Sequence, residues 1–119
     1  MFTEKFNGYV CVGDSIALDL NGFTVAARIE HDGDVSPDDF DCYSEADTDA
    51  WKNNEWFFCG VSLSISKNGI TLDKHAASLW GVEANLPESD NSYLNEVANE
   101  LLPEALEAGR EALQRLCAA

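Results

Sequence analysis

The stretch Trp56–Ser66, WFFCGVSLSIS, sets Val61, Leu63 and Ile65 in alternation with Ser62, Ser64 and Ser66. A period of two sends successive side chains to opposite faces, so this is a strand with one apolar and one polar face. Asn68-Gly69 follows it, and Ile70–Asp73 returns. An Asn-Gly pair between two strand-like runs signals a tight hairpin, because both turn positions take positive φ. The same pattern stands upstream, as Ser15–Leu20 (SIALDL), Asn21-Gly22 and Phe23–Glu30 (FTVAARIE). Turns this short join antiparallel neighbours. Tyr9–Val12, closed by Gly13-Asp14, reads as a further short strand, as does Ala77–Ala84 (ASLWGVEA). The expectation is an antiparallel sheet of about four to six strands.

Beyond Asp90 the period changes. Leu94, Val97, Ala98, Leu101, Ala105, Ala108, Ala112 and Leu116 recur at helical spacing, with Ser92 or Asp90 placed as the cap. Pro103 falls inside this run. It lacks an N–H and crowds the preceding turn, which predicts a kink or break near Leu102. A sheet packed by a helix is an α+β fold, and 119 residues make a single domain over 1–119.

Asp and Glu number 22 against 7 Lys and Arg, for a net charge of −15. Hydrophobic residues still make up 45% of the chain, enough for a core, so the charge does not signal disorder. It does exclude nucleic-acid binding through phosphate neutralisation, which needs Lys and Arg, and it disfavours an anionic membrane surface. The expected partners are basic.

Two segments concentrate the acids. Between Glu30 and Glu55 there are ten, and Lys52 is the one Lys or Arg. Ser44 and Asp47 have the spacing of a capping box, predicting a short helix over Glu45–Asn53, with loop elsewhere pinned by Phe40, Tyr43 and Trp51. The second segment is the C-terminal helix. At about 100° per residue from Glu96, Glu100, Glu104, Glu107 and Glu111 all fall within a sector of about 80°, opposite the apolar stripe. Neighbouring acids are spaced about 4.5–6 Å along the axis, which parallels the recurrence of charge along a nucleic-acid backbone. Like charges at i,i+4 cost about 0.2–0.5 kcal/mol per pair. No Lys or Arg between Lys74 and Arg110 relieves that cost. The candidate partner-binding residues are therefore Asp32, Asp34, Asp38, Asp39, Asp41, Glu45, Asp47 and Asp49, with Glu96, Glu100, Glu104, Glu107 and Glu111. The competing reading is that these acids only hydrate the surface.

Other chemistry finds little support. Cys11, Cys42, Cys59 and Cys117 include no CxxC pair, and Met1–Phe6 lacks the apolar run of a secretory signal. The reading is a reduced, cytoplasmic protein with Cys11 and Cys59 buried in strands. Asp32–Asp38 has the opening rhythm of a calcium loop, but Pro37 occupies the glycine position and Tyr43 the closing glutamate position. His31 and His75 have no zinc-ligand spacing with Cys42 or Cys59. Trp51, Trp56, Phe57, Phe58 and Trp80 lack the basic neighbours of a base-stacking platform and read as core. No constellation supports an enzyme, and no metal or cofactor is expected.

At Phe6–Asp14 (FNGYVCVGD), His75–Gly81 (HAASLWG), Asp90–Leu94 (DNSYL) and Leu101–Ala105 (LLPEA), the chain resembles small acidic proteins carried on plasmids and integrated elements of proteobacteria. The resemblance covers most of the chain. It implies a setting, with no functional residues to carry over. Mobile elements often carry small acidic inhibitors of host defence, the anti-restriction and anti-CRISPR proteins, and some of these imitate DNA. In size and charge this chain is similar to them. The implied function is a non-enzymatic inhibitor whose carboxylates occupy the basic channel of a CRISPR effector or restriction enzyme. The alternative is a regulatory or interaction module of the mobile element whose acidity only confers solubility.

Overall fold

Both Asn-Gly pairs turn hairpins. Asn21 and Gly22 have φ of 54° and 82°, and Asn68 and Gly69 have φ of 52° and 79°. In the computed structural model, which describes residues 1–118, they join strands β1 (Ser15–Leu20) to β2 (Phe23–His31), and β3 (Phe57–Lys67) to β4 (Ile70–Ala84). The four strands form one antiparallel sheet in sequential order. Val25 stands across from Ile65, Ala27 from Leu63 and Ile29 from Val61, and all six are fully buried. Ala26 and Arg28 face Ser64 and Ser62 on the other side of the sheet.

Two strand expectations change. Tyr9–Val12 is not a strand: only Val10 is buried, and Tyr9, Cys11 and Val12 are exposed. The runs Ile70–Asp73 and Ala77–Ala84 belong to one strand, β4, whose 15 residues face 11 in β3. The four extra residues are absorbed in β4 at three register shifts, one of which contains Gly81 with φ of 73°. Bulges of this kind bend an edge strand and blunt it against further pairing.

Helix α2 (Ser92–Ala118) lies across the apolar face. Asp90 Oδ1 accepts the Ser92 N–H at 3.0 Å and so satisfies one of the free donors of the first turn. Val97, Ala98, Leu102, Ala105 and Leu106 are buried in the main core. At Gly109 the helix approaches so closely that a Cβ would stand 2.5 Å from Ile65 Cδ1. The break expected near Leu102 does not occur, since the helix runs through Pro103. Pro103 is exposed while Leu102 is buried, so packing on both sides of the proline holds the turn together. We therefore expect Pro103→Ala to raise the unfolding free energy by about 1–3 kcal/mol, read from urea denaturation.

An N-terminal arm is laced to this helix. Phe2, Phe6 and Val10 are buried, and their N–H groups donate to the side-chain oxygens of Asn99, Asn95 and Asn85, each at 2.8 Å. Asn91, itself buried, donates through Nδ2 to the carbonyls of Asn7 and Gly8 and to Asn85 Oδ1, while its Oδ1 accepts the Asn85 N–H. Asn91, Asn95 and Asn99 are spaced by four, so they share one flank of the chain entering and forming α2.

The acidic excursion between β2 and β3 builds a second, smaller core. Its 3-10 turn (Pro37–Asp39) and helix α1 (Glu45–Lys52) both open with a serine capping box, at Ser36/Asp39 and Ser44/Asp47. Trp56, Phe58 and Ala50 are buried there, with Val35, Tyr43, Trp51 and Leu86 against them. Phe58 and Cys59 are adjacent in β3 and so point to opposite faces of the sheet. Cys59 joins the α2 core and Phe58 the second one.

Candidate functional site

Glu96, Glu100, Glu104, Glu107 and Glu111 are all exposed, on the side of α2 turned away from the sheet. Only Glu107 among them meets a cation, Arg110 Nη1 at 3.3 Å. An exposed pair of this kind contributes little. The other ion pair among the described residues joins Arg28 to Glu30 at 3.0 Å, away from the stripe. The stripe thus keeps nearly all of its charge.

In the excursion, Asp34, Asp38, Asp39, Asp41, Glu45 and Asp49 are exposed or partly so, and Asp47 is half-buried. Asp39 Oδ2 accepts the Ser36 N–H at 3.0 Å, and Asp47 Oδ2 accepts the Ser44 N–H at 3.4 Å. These two close their capping boxes. Asp32 departs from expectation. It is buried, its Oδ2 accepts the Gly81 N–H at 2.9 Å, and its Oδ1 accepts the Asp34 N–H at 3.1 Å. Both oxygens serve the backbone, so Asp32 is removed from the partner-binding set.

The fold does not merge the two acidic patches. Because the excursion packs on the Phe58 side of the sheet and α2 on the Cys59 side, the acids occupy opposite surfaces of the molecule. Sequence spacing shows which residues share one helix face, but not on which side of the sheet each element docks.

Burial, with the negative charge of Asp32, pushes the Cys59 thiol up to about 12, which keeps it protonated and poorly nucleophilic. Cys11, expected to be buried, is exposed in the N-terminal arm, as are Cys42 and Cys117 elsewhere. Burial and its hydrogen bond to Glu83 raise the Tyr43 hydroxyl above its usual range. The backbone N–H of Ser92 holds the Asp90 carboxyl below the ordinary value. His75 Nδ1 and Ser62 Oγ stand 3.5 Å apart, too far for a strong hydrogen bond. Among the described residues no three His, Cys, Asp or Glu side chains are grouped to hold a metal ion, and no helix is long and apolar enough to cross a membrane.

One residue with surface chemistry escaped the sequence reading. Trp80 is 48% exposed, not core, because the bulge at Gly81 carries it onto the outer face of the sheet above Gly60. The signal available was the pair of glycines: Gly60, which leaves room for the ring, and Gly81, whose φ of 73° falls within the bulge.

The chain matches no family model, no curated protein and no solved structure.

Proposed function

We propose that the protein is a non-enzymatic inhibitor of a host defence nucleoprotein complex, a CRISPR effector or a restriction enzyme. It acts in the cytoplasm by occupying the Lys/Arg-lined channel that receives target DNA. The observation that carries this reading is linear charge density. The molecule is elongated, 55 × 26 × 19 Å. A net charge of −15 over 55 Å is one charge per about 3.7 Å of length, comparable with the ~3.4 Å per charge of one DNA strand and about half the linear density of the duplex, ~1.7 Å per charge.

The distribution of the acids adds to this. The α2 stripe and the excursion face opposite ways, which suits a cleft with basic walls on both sides better than a flat surface. The stripe retains its mutual repulsion at a stability cost, and a basic channel would relieve it. Complementary fields of this size would also steer the encounter.

The test is binding to an immobilised, purified effector at rising ionic strength. The association rate should fall steeply with salt while the dissociation rate changes less. A second reading is favoured by Trp80, which is 48% exposed on the outer face of β4. An interaction module binding through such an apolar surface would hold its partner at about 1 M salt, where the Debye length is about 3 Å. The inhibitor would be released there.

A further inference from the structure

Just past the end of β2, across β3 from Trp80 of β4, an open hollow of about 560 Å³ is lined by His31, Asp32, Gly33, Asp34, Val35 and Trp80. The Trp80 ring is held in place despite its exposure. It is seated on Gly60, where a Cβ would stand 2.3 Å from Trp80 Cε3 and 2.5 Å from Cζ3, so no side chain fits beneath it. Asp32 secures both walls. One of its oxygens holds the Gly81 N–H next to Trp80, and the other holds the Asp34 N–H. The exposed Asp34 carboxylate is in neither ion pair of the described residues.

A fixed indole beside an unpaired carboxylate, in a strongly negative molecule, is complementary to a flat cation. Guanidinium is planar, weakly hydrated and able to stack on an indole while pairing with a carboxylate, whereas an ammonium group is compact and strongly hydrated. We infer that this hollow is a binding site for an arginine side chain of a basic partner protein. It lies on the outer side of the sheet from α2, so it is separable from the glutamate stripe.

The test is an NMR titration of the full chain with N-acetyl-Gly-Arg-Gly-amide, followed at the Trp80 indole N–H and the Asp34 and Gly81 amides. Saturable shifts confined to these groups are expected, with millimolar affinity. The lysine peptide should bind about threefold more weakly, and the citrulline peptide, neutral but nearly isosteric, should leave the resonances in place. Asp34→Asn, an exposed change that leaves the fold intact, should weaken the arginine peptide about threefold or more. Glu100→Lys with Glu107→Lys should leave the site saturable. An equal response to citrulline, shifts spread evenly along α2, or no saturable shift at Trp80 would overturn the assignment.

Discussion

Asn91→Ala is expected to destabilise the protein by about 3–5 kcal/mol, a large share of the ~5–15 kcal/mol that holds a typical domain folded. The side chain is buried and serves four partners: the carbonyls of Asn7 and Gly8, and the N–H and side-chain oxygen of Asn85. Its loss leaves buried polar groups unsatisfied, at about 1–3 kcal/mol each where water cannot replace it. Asn91 also has a φ of 63°, a conformation that costs alanine roughly 1–2 kcal/mol more. Asn91→Gly removes the side chain without that strain, so comparison of the two variants in urea separates the hydrogen bonds from the backbone. Asn95→Ala, which frees only the Phe6 N–H, should cost about 1 kcal/mol. Because Asn91 anchors the arm that carries Phe2 and Phe6 into the core, Asn91→Ala should also speed amide exchange along residues 2–10.

Glu100→Lys combined with Glu107→Lys is expected to weaken inhibition by about 100-fold or more, through loss of attraction and new like-charge contacts in a basic channel. The helix itself should not suffer. Lysine at these two positions interleaves with Glu96, Glu104 and Glu111, which converts repulsive i,i+4 and i,i+3 neighbours into attractive ones worth about 0.2–0.5 kcal/mol each. Against this stands only the exposed pair of Glu107 with Arg110. An unchanged or raised melting temperature alongside lost potency would place the defect in binding. Unchanged potency would remove the stripe from the interface.

The elements legible in the sequence were those with local causes. Asn21-Gly22 and Asn68-Gly69 set two hairpins through positive φ, and the alternation in β3 named its buried face. The Ser44 capping box placed α1, and helical periodicity put five glutamates on one exposed stripe. What escaped depends on distant contacts. β4 reads poorly because its bulges change the parity of its side chains, which is how Trp80 came to lie outside. The N-terminal arm has no periodicity of its own, and it is ordered by asparagines that lie 75 to 97 residues away along the chain. Asp32 read as one of many acids, and it takes a structural role through the N–H groups of Gly81, brought up from β4, and Asp34. Likewise, no local pattern says on which side of the sheet the excursion packs, so the separation of the two acidic surfaces appears only in three dimensions.

The central claim is that this protein takes the place of DNA in a basic channel, and competition binding tests it most directly. Labelled inhibitor is titrated onto a purified defence effector at increasing concentrations of unlabelled target DNA. The account predicts mutual exclusion, with the apparent Kd of the inhibitor rising in proportion to DNA concentration and no ternary complex. An inhibitor that binds with unchanged affinity to the DNA-saturated effector would contradict it.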